Sequence, residues 1–251
     1  MTKTQNQEVE WKLAIIDENP ADVLERVSTL TELAGLRLDP TQGRAIRDVY
    51  FDLPDRSLTA QRVALRYREQ DGRGYYTMKR DAVTDASGRS SRQEVERPAT
   101  PEGLGEVLQA IGDAGVTVPG AESDADGVEA LTSRGFIVIQ DRTNRREVRR
   151  LLDPTSSAEL AEMVLDTVRY VVGGVAVHHR EIEVELVDAS GEAAVVKLVQ
   201  ALREREASLV PWTLNKLRTG AALASLVDAD TEGIQAGDLT PTVYERLRSL
   251  Y

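Results

Sequence analysis

Apolar and polar residues alternate with a period of two over several short stretches of the chain, the pattern of half-buried strands. In Glu8-Val9-Glu10-Trp11-Lys12 this puts Glu8, Glu10 and Lys12 on one face, and Val9, Trp11 and Leu13 on the other. A second strand is expected over Asp48–Asp52, ended by Pro54. Residues 62–80 read as a hairpin around the turn Gln70-Asp71-Gly72-Arg73-Gly74. Its first arm sets Arg62, Arg66 and Arg68 opposite Val63, Leu65 and Tyr67, and its second arm pairs Thr77 with Lys79 on one face. Arg92, Glu94 and Glu96 share a face of the next strand. Phe136–Arg142 opens a second run of strands, and residues 145–152 are expected to pair back on it across Thr143-Asn144. Leu160–Val172 fits either period, but Thr167, Val168, Tyr170, Val171 and Val172 favour a strand. After the turn Gly173-Gly174, His179–Val187 alternates most cleanly, with Glu181, Glu183 and Glu185 opposite Ile182, Val184 and Leu186.

Helical spacing falls between these strands. Val23, Val27, Leu30 and Leu33 predict a helix from Ala21 to about Leu36. Thr100-Pro101 opens another, to about Ala114. Residues 192–206 form a charged amphipathic helix, and Pro211 starts a long one that carries Lys216 and runs to about Val227. The last amphipathic stretch, Thr240–Tyr251, either docks or dangles. Residues 81–91 and 115–130 read as polar loops. A helix must bury its apolar stripe, and each strand has one apolar face. A curved sheet with helices on its apolar outside satisfies both, and closing it turns the charged faces inward, into a polar tunnel.

The charge that such a tunnel would confine is large. The inward acids would be Glu8, Glu10, Glu94, Glu96, Glu181 and Glu183, with Glu185 and Asp166 as second-rank candidates. The inward bases would be Lys12, Arg62, Arg66, Arg68, Lys79, Arg92, Arg142, Arg145 and Lys216. Confined charges demand partners. Clustered carboxylates suit a hard divalent cation, Mg²⁺ or Mn²⁺, and clustered guanidinium forks suit phosphate. The two sets together describe a metal–polyphosphate site.

Other chemistries fit less well. A net charge of −11 argues against a general nucleic-acid binder. The chain has no cysteine, hence neither disulfides nor thiol catalysis. No apolar run reaches the length of a membrane span, and the polar N-terminus is unlike a signal peptide, so the expectation is a cytoplasmic protein. His178 and His179 are adjacent, so on a strand they point apart and form no two-histidine metal face. Asp228-x-Asp230-x-Glu232-Gly233 has the look of a calcium loop, yet Leu239 stands where the bidentate Glu belongs. Gly72-x-Gly74 is a hairpin turn with no Lys-Ser/Thr and helix behind it. Ser87, Ser90 and Ser91 lie in a polar loop without a histidine pattern, which leaves no reading as a nucleophile.

The ordered motifs resemble those of the CYTH family, the triphosphate tunnel metalloenzymes. Glu8-x-Glu10-x-Lys12 is similar to the family's N-terminal signature. Tyr50-x-Asp52 with Leu58, Leu65-Arg66-x-Arg68, Thr77-x-Lys79, Arg92-x-Glu94-x-Glu96 and Glu181-x-Glu183-x-Glu185 follow in the family's order. Asn215-Lys216 with Gly220 resembles its Ser-Lys-x-x-x-Gly helix motif, with asparagine in place of serine. The resemblance covers about residues 5–226 and implies an α+β fold, an eight-stranded antiparallel β-barrel with helices outside. The domain would span residues 1–228, with 229–251 a C-terminal extension or the start of a linker, as in relatives that continue into a histidine-rich helical domain.

By the same resemblance the chain would be a metal-dependent triphosphatase, a phosphoric anhydride hydrolase. Glu8, Glu10 and Lys12 would be catalytic, and Glu8, Glu10, Glu94, Glu96, Glu181 and Glu183 would hold Mg²⁺ or Mn²⁺. Lys12, Arg66, Arg68, Lys79, Arg92, Arg142, Arg145 and Lys216 would bind the triphosphate. Inorganic tripolyphosphate is the preferred substrate, since no stretch reads as a base-stacking pocket. ATP in an adenylate cyclase, thiamine triphosphate, and a polyphosphate-binding module without turnover remain as alternatives. Neither nucleic acid nor membrane is expected as a partner, and a homodimer is left open.

Overall fold

The structure, a computed structural model, describes residues 6–120, 125–229 and 234–250. Asp230, Glu232 and Gly233 of the calcium-loop-like stretch lie outside the described residues, as do positions 121–124 of the expected acidic loop and Tyr251. The elements in chain order are β1 (Asn6–Ile15), α1 (Pro20–Ser28), β2 (Glu32–Leu33), β3 (Leu36–Pro40), β4 (Arg44–Asp52), α2 (Ser57–Ala60), β5 (Ala64–Gln70) and β6 (Arg73–Thr84). Then follow β7 (Arg89–Pro98), α3 (Pro101–Asp113), α4 (Gly127–Thr132), β8 (Ile137–Leu152), β9 (Glu159–Val172) and β10 (Val175–Leu186). The last are α5 (Glu192–Arg205), β11 (Leu209–Pro211), α6 (Lys216–Ala229), β12 (Gly237–Asp238) and α7 (Pro241–Ser249).

Eight strands are hydrogen-bonded in the order β1-β7-β6-β5-β4-β8-β9-β10, and β10 pairs back on β1. The sheet is therefore a closed antiparallel barrel, and with its helices the fold is α+β, as expected. Two tight turns set the register. Asp71-Gly72 joins β5 to β6 and Gly173-Gly174 joins β9 to β10, each with positive φ at both central residues. Such turns follow the strand twist and suit glycine. Among the described residues no helix is long and apolar enough to cross a membrane.

Six expectations shift. The loop read over 81–91 narrows to the turn between β6 and β7, and the one over 115–130 ends in α4. The first helix stops at Ser28, because Ala34 and Gly35 take φ of 51° and 80° and turn the chain into β3. The expected hairpin around Thr143-Asn144 is instead one uninterrupted 16-residue strand, β8. Arg62 belongs to no strand; it sits exposed at φ 57° in the turn before β5. Pro211 ends the short strand β11, and the long helix begins five residues later at Lys216. Elsewhere local chemistry agrees with the reading: Thr100 Oγ1 caps α3 by accepting from Gly103 N, with Pro101 in the first turn.

The chain divides into two compact units. The first holds the described residues up to Glu8 and those in Ala45–Val83 and Ser91–Thr143; the second holds Val9–Arg44, Thr84–Ser90 and the rest from Asn144. Their boundaries fall inside strands β1, β4, β6, β7 and β8 rather than in linkers. In the first unit the apolar strand face, with Val49, Phe51, Leu65, Tyr76 and Met78, packs on Leu104, Val107 and Ile111 of α3 and Leu131 of α4. In the second unit Trp11, Leu13, Met163, Leu165, Ile182 and Val184 pack on Val23 and Val27 of α1 and Val195, Leu198 and Leu202 of α5. A further core there joins Val168, Tyr170 and Val177 to Trp212, to Leu223 and Leu226 of α6, and to Val243, Tyr244 and Leu247 of α7. The last helix thus docks. Each fully buried Leu or Val contributes about 1.5–3 kcal/mol. The first two cores take the strand faces opposite the charged residues, whereas Val168, Tyr170 and Val177 are in phase with Asp166, Glu181 and Glu183, so the third core and the acids share a face.

Candidate active site

In the first unit the polar face is organised by Asp48 of β4. The β4–β5 register sets Asp48 directly opposite Arg68. Its carboxylate accepts from Arg68 Nε at 2.7 Å and Nη2 at 2.9 Å, and from Arg142 Nη2 at 3.1 Å, with Arg66 Nε 3.7 Å away. Burial would push the Asp48 carboxyl up, but the three guanidiniums hold it well below the usual carboxylate range. Two residues along β4, Tyr50 accepts a hydrogen bond from Arg142 at 3.0 Å, and the same guanidinium lies 4.8 Å from its ring centroid. Burial raises the Tyr50 phenol; Arg142 and Arg66 outweigh that and bring it down to about 8.

The remaining residues of this face pair acid with base. Arg66 donates to Thr77 at 3.0 Å and to Glu96 at 3.2 Å, and its Nη2 lies 3.8 Å from Glu94. Lys79 sits 2.8 Å from Glu94 and 3.3 Å from Glu8. Arg92 forks onto Glu8 at 2.6 and 2.9 Å. Burial opposes ionisation of Glu8, yet Lys79 and Arg92 hold it well below its ordinary value. Asp52, in the Tyr50-x-Asp52…Leu58 motif, has a structural task. It accepts from the backbone N–H of Leu53 at 2.8 Å and of Leu58 at 3.0 Å and from Thr59 Oγ1 at 2.6 Å, fixing α2 to the end of β4.

In the second unit the polar face of β1 carries Glu10 and Lys12, both buried, with Lys12 Nζ donating to Glu10 at 3.3 Å. Lys12 is pinned through its backbone: its N–H donates to Gly88 O at 3.0 Å and its carbonyl accepts from Trp212 N at 2.9 Å. Across the barrel pairing Glu183 lies opposite Lys12, and Glu185 opposite Glu10. On the next pairing Asp166 of β9 lies opposite Glu181 of β10. Asp166, Glu181 and Glu183 each present a ligand oxygen, all within 4.8 Å of one another, and all three are buried.

Two cations border this trio. Lys216, the first residue of α6, places Nζ on Glu181, 3.0 Å from Asp166 and 2.7 Å from Glu183. Arg146 forks onto Asp166 at 2.9 and 2.6 Å and reaches Glu183 at 3.3 Å. Against the cost of burial, Arg146 and Lys216 bring Asp166 down to about 2, and Lys216 and His179 hold Glu181 below the carboxylate range. Glu183 is raised instead. Burial dominates, Lys216 opposes it, and the negative charges of Glu10, Glu181 and Asp166 add to it. Glu183 is therefore the carboxylate with most to gain from added positive charge. Convergent buried carboxylates are the donor set of a hard divalent cation, so these residues fit Mg²⁺ or Mn²⁺.

One expected ligand is misplaced. Arg145 is expected with Arg142 in the substrate clamp, but residues three apart on a strand face opposite ways. Its side chain is 82% exposed, 3.7 Å from Glu147. Arg146, in phase with Arg142, takes the inward place. Glu94 and Glu96, expected at the metal, lie against Lys79 and Arg66, and Lys216, expected on substrate, lies against the acidic trio. Asp48 and Arg146 stand among the charged residues of these faces without being among the expected site residues, and Asp166 takes a central place. The signals were present in the alternation Asp48-x-Tyr50-x-Asp52 and in the spacing of four from Arg142 to Arg146.

A family model, the CYTH domain, matches residues 6–217. No curated protein matches the chain. Among the solved structures that match, two illustrate the shared fold. One is an adenylyl-cyclase candidate from Hippeastrum with a dominant triphosphatase activity: TM-score 0.60 at 17% identity, covering 86% of this chain and 95% of that one. The other is an adenylate-cyclase candidate from Bacillus halodurans: TM-score 0.55 at 19% identity, covering 86% of this chain and 97% of that one.

Proposed function

The chain belongs to the CYTH family, and we propose that it is a metal-dependent triphosphatase with inorganic tripolyphosphate as its preferred substrate. The observation that carries this reading is the buried trio Asp166, Glu181 and Glu183, a concentration of negative charge that structural packing alone does not require. Mg²⁺ or Mn²⁺ held there would supply Lewis-acid stabilisation of phosphoryl oxygens and a more acidic water. The chain's own groups do the rest. Arg66, Arg68, Lys79, Arg92 and Arg142 bind and orient phosphate oxygens, and guanidinium forks suit that task. Asp48 holds Arg68 and Arg142 by charge-assisted bonds, so their geometry is set before substrate arrives. Glu10, with Lys12 beside it, orients the attacking water, and Glu8 fixes Lys79 and Arg92. Catalysis is then positioning plus charge stabilisation, as for phosphoryl transfer generally.

The test is incubation with tripolyphosphate and Mg²⁺ or Mn²⁺, with phosphate and pyrophosphate read separately. Phosphate release that EDTA abolishes is expected; no release with any divalent metal overturns the reading. The two chemistries named for the Hippeastrum protein make ATP the second substrate to try. Cyclic AMP with pyrophosphate would assign the cyclase reaction instead.

A further inference from the structure

We propose that Tyr244, on α7, is a positioning residue for the acidic trio: acting through His179, it holds Glu181 in the orientation that a divalent cation requires. The inference rests on the reading of Asp166, Glu181 and Glu183 as the metal-holding residues. It concerns a part of the chain beyond the matched family region, which ends at residue 217.

Three buried side chains form the path. Tyr244 is 1% exposed, and His179 and Glu181 are 0% exposed. His179 Nδ1 lies 2.8 Å from Tyr244 Oη, and Nε2 lies 2.9 Å from Glu181 Oε2. Glu181 is an ionised acceptor, so His179 Nε2 carries a hydrogen and donates to it. The other ring nitrogen, Nδ1, is then bonded to the Tyr244 hydroxyl, which pins the ring and with it the direction from which Nε2 addresses Glu181. Burial raises the Tyr244 phenol, so the hydroxyl keeps its proton. With Oε2 tied to His179, Oε1 is the oxygen that meets Lys216 Nζ, the ammonium that also contacts Asp166 Oδ2 and Glu183 Oε1. The anchored oxygen aims the other at the point where the trio converges.

The rest of the second unit keeps this path rigid. The His179 ring lies 5.7 Å from the rings of both Trp212 and Tyr244, and Trp212 meets Tyr244 edge-on at 5.5 Å. Trp212 Nε1 donates to Thr219 at 3.0 Å. Val243 and Leu247 bury α7 on either side of Tyr244, and Leu239 N donates to His178 O at 3.0 Å. Outer partners of this kind fix the ligand carboxylate and its basicity.

The test is a titration of the full chain with Mn²⁺ alone, free Mn²⁺ being counted by electron paramagnetic resonance. Glu181→Gln is expected to abolish the binding seen in the wild type. Tyr244→Phe keeps the ring and removes only the hydroxyl; it is expected to weaken Mn²⁺ binding about tenfold or more, with His179→Asn at least as severe. Leu247→Ala, which loosens α7 but keeps the hydroxyl, is expected to lower the melting temperature with little effect on Mn²⁺. If the wild type binds no Mn²⁺, or Glu181→Gln binds it normally, the metal reading and this proposal both fall. If Glu181→Gln loses binding while Tyr244→Phe retains it, only the role of Tyr244 is overturned. Equal weakening by Leu247→Ala and Tyr244→Phe would also overturn it, because docking of the helix would then account for the effect.

Discussion

At the scale of single residues, Asp48 and Tyr50 show how charge is organised. Asp48→Asn would leave Arg142, whose side chain is 1% exposed, and Arg66, at 5%, without their shared carboxylate. Removing one partner of a buried ionic group costs about 3–5 kcal/mol, so a large fall in melting temperature is expected. The pH dependence has a definite sign. A carboxylate depressed in the folded state stabilises above its unfolded pKa, and that contribution fades as pH drops through the folded value. The stability gap between wild type and Asp48→Asn is therefore expected to be full at neutral pH and to shrink below about pH 4. Tyr50 is lowered to about 8, so tyrosinate absorbance should begin to rise near that pH and the step should vanish in Tyr50→Phe. A step only near pH 10, the ordinary tyrosine value, would contradict the Arg142 contact. For Glu10, Glu10→Gln is expected to cut kcat by about a hundredfold with triphosphate binding intact, whereas Arg66→Ala should raise KM. Unchanged kcat in the first variant would remove Glu10 from the mechanism.

At the scale of elements, phase and register decide what the sequence can reveal. Alternation alone was enough to place Glu181 and Glu183 together on β10, and Arg66 with Arg68 on β5, because neighbours two apart share a face whatever surrounds them. It failed where the reading required a strand to break. The supposed turn at Thr143-Asn144 let Arg145 join Arg142, and the unbroken β8 separates them. Leu30 and Leu33 kept helical spacing past the true end of α1, because spacing does not record the positive φ of Ala34 and Gly35. Asp48 was illegible for another reason. Its importance comes from Arg68 across the β4–β5 register and Arg142 from β8, pairings that no local window contains. Gly88 is a point where one element positions another. It has φ 82°, and a Cβ there would stand 2.4 Å from the carbonyl oxygen of Lys12. Gly88→Ala must therefore shift either the turn or β1 at Lys12, on top of about 1–2 kcal/mol of left-handed strain. The expected result is a lower melting temperature together with a raised KM; normal KM at reduced stability would show that Lys12 had not moved.

At the scale of the whole molecule, the buried acids of the second unit make stability sensitive to cations. Glu183 is raised by its buried, negatively charged surroundings, so a bound divalent ion should stabilise the folded chain. Mn²⁺ at a hundred times its dissociation constant would add about 2.7 kcal/mol, seen as a higher melting temperature that EDTA reverses. The gain should be absent in Glu183→Gln; its persistence there would place the ion elsewhere. Closure of the sheet is expected from charged faces that need partners, and the count of eight strands from the family resemblance, whereas neither foretells the division into units. That division runs within β1 between Glu8 and Val9, within β4 between Arg44 and Ala45, within β6 between Val83 and Thr84, within β7 between Ser90 and Ser91, and within β8 between Thr143 and Asn144. A strand cut in mid-course takes its residues away from their ladder partners on neighbouring strands, and backbone groups left without partners favour aggregation. Calorimetry should accordingly record one transition. Seen as inheritance, neither unit is a piece that can be traded without cutting strands, so heritable change is expected at single residues and in loops.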